Sequence, residues 1–190
     1  MKVFIGCSAS DYIPDKYFLD CKNFLEELFE RDFDLVFGAC NAGLMGMTYN
    51  VALNNNKNII GIYPETYKNS AEKIQGNKIL TPTIGLRTDL VIKESDALIF
   101  LPGGFGTVYE LFTAIEFKRG CEFNKPIIIY NSCGYFDKML EFIEITYKEN
   151  FASRNVNNCY YICDSAKDAI RYIDSYYGKG GISRKKCLDD

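Results

Sequence analysis

The sequence predicts an α/β protein: one Rossmann-like domain with a doubly wound parallel sheet and helices on both of its faces. Three observations lead to this prediction. Short apolar runs alternate with longer segments whose apolar residues recur at helical spacing. The runs are apolar at successive positions, which is typical of strands buried on both faces. The 190 residues suffice for one sizeable domain, which we place at residues 1–178, with a flexible tail at 179–190.

The strands are predicted where apolar runs end at glycine, proline or small polar residues. Six segments meet this description: 2–6, 35–37, 59–63, 96–101, 126–130 and 159–163. Between the third and the fourth of them, residues 79–83 form a short extended piece that Pro82 interrupts. The sheet is therefore predicted to have six strands.

The helices are predicted where apolar residues recur every three or four positions. These segments are 15–31, 44–54, 86–94, 107–119, 136–149 and 164–177. Residues 65–75 are polar and are predicted as an exposed loop or a short helix. In a Rossmann-like strand order the first and fourth predicted strands are neighbours, so the loops at 7–10 and 102–107 should face one crevice.

The segment 98–110 carries the most specific signal in the chain. A buried strand ends at Pro102, a loop with Gly103, Gly104 and Gly106 follows, and a helix is predicted from Thr107. The free N–H groups and the dipole of a helix N-terminus attract anions, and glycine lets a phosphate approach those amides. The loop lacks the dinucleotide-binding glycine spacing and the lysine of a P-loop. It predicts an anion site of another kind.

Glu110, three residues after Thr107, has two interpretations that the sequence leaves open. Residues 107–110 fit a capping box, in which a glutamate at the third helical position reaches back to the N-cap amide. Alternatively, the carboxylate lies beside the bound anion and faces a sugar or a water molecule. Both interpretations predict an ionised Glu110, because a helix N-terminus favours negative charge. An ionised glutamate suits a general base or a group that stabilises positive charge.

Composition excludes several kinds of chemistry. The chain has no histidine, so a Ser-His or Cys-His nucleophile pair is excluded. The eight cysteines include no C-x-x-C pair, and we expect no metal site and free thiols in a reducing cytoplasm. The net charge of −3 argues against a nucleic-acid surface, and no apolar run has the length of a signal peptide or a membrane helix.

Two further loops follow predicted strands. Ser8 lies in the small polar loop after the first strand. The loop at 38–46 contains Gly43 and Met45 and leads into a predicted helix. Its glycines serve either close packing of the helix on the sheet or a second surface that faces a ligand. We include Ser8, Gly43 and Met45 among the candidate substrate-binding residues.

These motifs resemble those of the LOG ("lonely guy") family of cytokinin riboside 5′-monophosphate phosphoribohydrolases. Residues 102–110 match the family signature P-G-G-x-G-T-x-x-E at every fixed position. The resemblance extends from about residue 3 to residue 152, and residues 43–46 keep the G-L-M-G of an earlier family loop. It implies that Gly103, Gly104, Gly106 and Thr107 hold a 5′-phosphate. It also implies that Glu110 is the catalytic carboxylate and Arg87 the essential arginine.

The chain departs from the family pattern at several positions. Ala39 and Cys40 replace glycines, Cys7-Ser8-Ala9 replaces G-S-S, and residues 117–121 replace W-x-Q-x-G. Thr88 and Val91 stand where the family has lysine and methionine after its arginine. We expect these changes around the base and dimer surfaces. On spacing alone, Arg87 near a helix start is typical of a solvated or salt-bridged surface residue.

Two functions follow as hypotheses. The resemblance implies hydrolysis of the N-glycosidic bond of a nucleoside 5′-monophosphate, cytokinin riboside 5′-monophosphate or AMP-like, by a homodimer without a cofactor. The alternative is a binding protein that carries a nucleotide or a phosphorylated cofactor, since a phosphate loop serves both functions. A pyridoxal-phosphate enzyme is a weaker idea because no lysine is singled out for a Schiff base.

Overall fold

A computed structural model describes residues 1–178, and the tail predicted at 179–190 lies outside these residues. Seven parallel strands form one sheet in the order β4-β3-β2-β1-β5-β6-β7. The strands are β1 (Lys2–Gly6), β2 (Asp34–Phe37), β3 (Ile59–Pro64), β4 (Asn77–Thr81), β5 (Ala97–Phe100), β6 (Ile127–Tyr130) and β7 (Tyr161–Cys163). The helices of the described part are α1 (Asp15–Phe29), α2 (Gly43–Asn54), α3 (Lys68–Ala71), α4 (Ile84–Glu94), α5 (Phe105–Arg119), α6 (Asp137–Lys148) and α7 (Ala166–Tyr177).

The strand order reverses between β1 and β5, as the sequence predicted for a doubly wound sheet. These two strands pair in parallel, with Val3 opposite Ala97 and Gly6 opposite Phe100. Beyond the strands, the backbone N–H of Ser8 donates to the carbonyl oxygen of Pro102 at 3.0 Å. The loops after β1 and β5 are therefore joined directly at the carboxyl edge of the sheet.

Two apolar layers cover the sheet, and successive residues of β1 point into opposite layers. Val3 and Ile5 pack with α1, α2 and α7, whereas Phe4 packs with α4 and α5 on the other face. This alternation on two buried faces explains why β5 and β6 are apolar along their length, whereas β4 at the edge of the sheet keeps Asn77 and Lys78. The prediction of helices on both faces is confirmed.

Several element boundaries differ from the prediction. The extended piece at 79–83 is part of a seventh strand, β4, which pairs with β3 at the edge of the sheet and ends before Pro82. The strand predicted at 159–163 is shortened to β7, because residues Arg154–Cys159 form a 3-10 helix. The polar segment after β3 forms a short 3-10 turn and then α3. Within residues 1–178, no helix combines the length and the apolarity needed to cross a bilayer.

Candidate active site

A cleft of about 540 Å³ opens at the carboxyl edge of the sheet, beside the point where the strand order reverses. It lies where the sequence predicted a common crevice for the loops after β1 and β5. The cleft is lined by Cys7, Ser8, Ala9, Ser10, Gly38, Cys40, Met45, Pro64, Tyr67, Ser70, Ile84, Arg87, Gly104, Gly106, Thr107 and Glu110.

Helix α5 presents its N-terminus to this cleft. The N-cap is Gly104, which has an extended backbone and contributes no side chain to cap the helix. Among residues 1–178, no protein group accepts a hydrogen bond from the N–H of Phe105, Gly106 or Thr107. A Cβ added at Gly104 or Gly106 would meet nothing within 4 Å, so both glycines leave space on the cleft side. This end of α5 is therefore open to an anion.

Gly103 has a different role from its two neighbours. It is buried, and a Cβ at this position would overlap the Thr107 side chain. Gly103 does not line the cleft, whereas Thr107 does. Its missing side chain lets Thr107 pack against the loop that precedes the helix.

The capping-box interpretation of Glu110 is wrong. Helix α5 begins at Phe105 rather than at Thr107, so Thr107 is already its third residue and Glu110 its sixth. From the second turn of the helix, Glu110 cannot reach back to the N-cap amide. The side chain instead contacts Arg87 of α4.

Arg87 and Glu110 form a buried ion pair at the wall of the cleft. The Nη1 of Arg87 donates to Oε1 of Glu110, and their side chains are only 9% and 7% exposed. The interpretation from spacing alone, a solvated or salt-bridged surface residue, is wrong in placing Arg87 at the surface, whereas the salt bridge itself is present. The Nε–H of Arg87 is buried and has no acceptor among residues 1–178. A buried donor without a partner is unfavourable, so a ligand oxygen at this point would be stabilised.

The charge of Glu110 is controlled by its surroundings rather than by the helix end. Burial raises the pKa of the Glu110 carboxyl, and the adjacent Arg87 guanidinium acts in the opposite direction. The dipole of α5 acts mainly within the first turn, which Glu110 has already left. The sequence pattern attributed the ionised form of Glu110 to the helix N-terminus. In the structure, Arg87 is the group that favours the carboxylate form.

The loop after β2 contributes less to the cleft than the sequence allowed. Met45 lines the cleft, and its N–H donates to the carbonyl oxygen of Ser8 at 3.0 Å. Gly43 lies behind the surface, and its N–H donates to Oδ1 of Asp11 at 2.7 Å. A Cβ at Gly43 would meet the backbone of Ser10 at 2.6 Å. Gly43 therefore supports close packing of α2 on the loop after β1, one of the two roles left open for these glycines.

Sequence reasoning missed one wall of the cleft. Pro64, Tyr67 and Ser70 come from the end of β3 and from the polar segment after it, and Ile84 begins α4. The signal that could have found them is their position after the carboxyl end of a strand next to the crevice. With Met45, Pro64 and Ile84, this wall is mainly apolar.

Cys7 and Cys40 also line the cleft, at positions where the chain departs from the family pattern. Burial raises the pKa of both thiols, so both stay protonated at neutral pH. The Cys7 thiol lies 3.8 Å from the Thr48 hydroxyl. Among residues 1–178, no group of three or more Cys, Asp or Glu side chains is arranged to hold a metal ion.

Two other departures lie away from the surfaces where the sequence placed them. Val91 is buried in the apolar layer beneath α4, and the buried Thr88 hydroxyl donates to the carbonyl oxygen of Ile84 at 3.1 Å. Both residues lie on the inner side of α4. Both departures from the family pattern are therefore buried in the helix that carries Arg87.

The fold and the site together define a class of protein. It is the class of Rossmann-like α/β proteins in which a helix N-terminus, an arginine and a carboxylate share one cleft where the strand order reverses.

Comparison with known proteins identifies the family. Residues 45–173 match a family model described as "possible lysine decarboxylase". The cytokinin riboside 5′-monophosphate phosphoribohydrolase LOG1 of Arabidopsis thaliana is 31% identical over 177 residues, which span 92% of this chain and 82% of that protein. The phosphoribohydrolase LOG3 of the same plant is 28% identical over the same shares. The chain belongs to the LOG family. LOG1 and LOG3 are named as phosphoribohydrolases, which are hydrolases.

Solved structures support the fold. A molybdenum cofactor binding protein from Rippkaea orientalis has a TM-score of 0.67 and 18% identity, over 93% of this chain and 97% of that one. A molybdenum cofactor carrier protein from Chlamydomonas reinhardtii has a TM-score of 0.68 and 16% identity, over 92% and 96%. At this identity the likeness concerns the arrangement of strands and helices alone.

Proposed function

We propose that the protein hydrolyses the N-glycosidic bond of a nucleoside 5′-monophosphate, cytokinin riboside 5′-monophosphate or AMP-like, and releases a free base and ribose 5-phosphate. The observation that carries this proposal is the buried Arg87–Glu110 pair in the same cleft as the open N-terminus of α5. Membership of the LOG family supports the same reaction.

The phosphate is assigned to the N-terminus of α5. Its free N–H groups and the glycines Gly104 and Gly106 accept a dianion without a steric barrier. The Thr107 side chain lines the same part of the cleft and adds a hydroxyl donor. A phosphate held there supplies binding energy at a distance from the sugar, where the bond breaks.

The sugar is assigned to Glu110. Cleavage of an N-glycosidic bond develops positive charge on the ribose ring, as in glycoside hydrolysis. The Glu110 carboxylate can stabilise this charge, orient ribose hydroxyls or activate the attacking water. Arg87 holds the carboxylate in place and can donate to the ligand, but it cannot act as an acid at neutral pH.

The base is assigned to the wall formed by Met45, Pro64 and Ile84, with Tyr67 beside it. These side chains offer apolar area for a planar base and no charge that would oppose a neutral one. Among residues 1–178, no lysine lines the cleft, so the residues there do not provide the amine of a Schiff base. The site therefore fits nucleotide hydrolysis better than amino-acid decarboxylation.

The second candidate is a non-catalytic carrier of a nucleotide or a phosphorylated cofactor. The shared fold with molybdenum cofactor carrier proteins favours it, since one phosphate loop serves binding and catalysis alike. A carrier has no evident need for a buried carboxylate beside an anion, and this is why we rank it second.

The test is base release from a panel of nucleoside 5′-monophosphates by the wild type and by Glu110→Gln. We expect the variant to retain AMP binding while single-turnover base release falls on the order of a hundredfold or more. Glu94→Gln is the control, because it also breaks an ion pair, with Lys2, but lies outside the cleft. It should release base at the wild-type rate.

Rates are normalised to the folded fraction measured by circular dichroism, because removing one partner of a buried ion pair also lowers stability. Wild-type turnover in Glu110→Gln would contradict the catalytic role of the carboxylate. Binding of a nucleotide by the wild type without release of any base would favour the carrier.

We also propose that the protein forms a homodimer through the outer surface of α5 and α6. Phe105 is 98% exposed and Phe151 is 82% exposed, and Phe112 and Phe142 lie on the same surface. The sequence left open whether Phe112 and Phe117 complete the core; Phe117 packs partly against it, whereas Phe112 is exposed. An exposed aromatic patch of this kind is typical of an interface.

Light scattering at micromolar concentration tests the dimer. We expect twice the chain mass of 21.7 kDa for the wild type and a shift to the monomer for Phe112→Glu, because a charge would be buried in the contact. Leu19→Glu, on the opposite layer and 67% exposed, is the control and should remain dimeric. A 21.7 kDa species for the wild type would contradict the proposal.

A further inference from the structure

Tyr135 lies outside the cleft but contacts the loop that forms it. Its hydroxyl donates to the carbonyl oxygen of Gly103 at 2.8 Å. Its ring packs edge-on against Tyr17 of α1, with 5.4 Å between the ring centroids, and against Phe136. The ring is thus held from two sides, and the hydroxyl is directed at one peptide group of the glycine loop.

That peptide group joins Gly103 to Gly104. In a trans peptide the carbonyl and the N–H point in opposite directions, and no cis peptide occurs among residues 1–178. Gly103 is buried and faces Tyr135, whereas Gly104 lines the cleft. Holding the Gly103 carbonyl therefore turns the Gly104 N–H away from Tyr135, toward the side on which the cleft opens.

The preceding peptide is held in the same way. The Pro102 carbonyl accepts a hydrogen bond from the Ser8 N–H at 3.0 Å. Two consecutive carbonyls before α5 are thus fixed from outside the cleft, one by a backbone amide and one by a side chain. Of these two hydrogen bonds, only the one from the Tyr135 hydroxyl can be removed by a side-chain substitution.

Tyr135 directly follows a turn whose backbone conformation is fixed by hydrogen bonds. Cys133 and Gly134 both adopt left-handed backbone conformations, with φ of 49° and 71°. Such a conformation is unfavourable for a cysteine and persists where the surroundings fix it. Here Ser132 donates to Asp20 at 2.6 Å, and the Asn131 side chain accepts from the Phe136 N–H and donates to Asp137.

We infer that Tyr135 is a positioning residue of the anion site: its hydroxyl fixes the peptide between Gly103 and Gly104 so that the Gly104 N–H faces the phosphate of a bound nucleotide. The inference rests on the proposed function for the identity of the ligand, and it concerns binding rather than hydrolysis. Loss of the hydroxyl frees the peptide to rotate, which weakens the contact with the phosphate and leaves the contacts with base and sugar unchanged.

The experiment compares Tyr135→Phe with the wild type by calorimetric titration with AMP, adenosine and inorganic phosphate. The variant should bind AMP and phosphate about threefold to tenfold more weakly, the factor expected for one hydrogen bond, with adenosine affinity unchanged. Tyr17→Phe is the control, because it removes a hydroxyl from the ring packed on Tyr135 and leaves the Gly103 contact in place. It should retain the wild-type ratio of AMP to adenosine affinity.

A purely structural role for Tyr135 would lower the melting temperature or weaken all three ligands together, and would not change that ratio. An unchanged ratio in Tyr135→Phe overturns the inference. Wild-type binding of AMP without base release would defeat the proposed hydrolysis while the ratio still decides the role of Tyr135. Failure of the wild type to bind AMP or phosphate would overturn both.

Discussion

The two glycine-containing loops of this protein differ in what their glycines face. Each follows a strand and leads into a helix, α2 after β2 and α5 after β5. At the start of α5, Gly104 and Gly106 face open space and the first N–H groups have no acceptor among residues 1–178. At the start of α2, Gly43 faces the backbone of Ser10, and its N–H is already bound by Asp11.

A glycine-rich junction between a strand and a helix therefore predicts that something approaches the backbone closely, but not whether this is a ligand or another part of the protein. At α5 the space left by the absent side chains is available to a ligand. At α2 it is occupied by the loop after β1, and a carboxylate of the protein satisfies a free helix amide. Three substitutions test this difference between the two loops, and the largest effect is expected at the loop before α5.

The largest effect is expected from Gly104→Val. The backbone of Gly104 is extended with a negative φ, so valine fits without strain, and its methyl groups would occupy the space assigned to the phosphate. We expect AMP affinity to fall on the order of a hundredfold, about 2.7 kcal/mol, with the melting temperature unchanged. Titration with AMP and thermal melting give both values. Wild-type AMP affinity in this variant would place the anion site elsewhere.

A smaller effect, on stability rather than on the ligand, is expected from Gly43→Ala. Gly43 has a φ of 57°, and a Cβ there would lie 2.6 Å from a backbone oxygen that cannot move freely. We expect a loss of about 2 kcal/mol, which lowers the melting temperature by roughly 4–8 °C. Gly104→Ala is the matched control, because its Cβ meets nothing within 4 Å. Equal melting temperatures for the two variants would remove the distinction between the loops.

The fold was largely predictable because its inner strands are apolar at successive positions, a pattern typical of a parallel sheet that is covered on both faces. The edge strand β4 was predicted only as a short extended piece, because most of its residues are exposed and it forms no apolar run. The start of α5 was placed two residues late because Phe105 is almost fully exposed and does not belong to the apolar periodicity of the helix. Prediction from the apolar pattern thus failed where residues of a strand or a helix are exposed rather than buried in the core.

The site was predictable only in part. The glycine loop after β5 and Glu110 were predicted as site residues from their order along the chain, and the structure places both at the cleft. The burial of Arg87 could not be predicted from local spacing, because it depends on the packing of α4 beside α5. Its partner Glu110 lies 23 positions further along the sequence. The capping-box interpretation also relied on local spacing, which Thr107 and Glu110 fit. It was wrong because the helix begins earlier and Glu110 contacts Arg87 instead. Local spacing describes one helix, whereas the partner of Glu110 lies on another.

The smallest effect is expected from Asp11→Ala. This substitution tests whether the Asp11 carboxylate stabilises the N-terminus of α2. Asp11 is exposed, and its carboxylate accepts a hydrogen bond from the Gly43 N–H at 2.7 Å. Losing this cap should lower the free energy of unfolding by about 1 kcal/mol, and the melting temperature by roughly 2–4 °C. Asp11→Asn keeps an acceptor oxygen and should lose less than Asp11→Ala. If both variants melt with the wild type, the N–H of Gly43 is satisfied equally well by water, and the two helix ends differ only in what their glycines face.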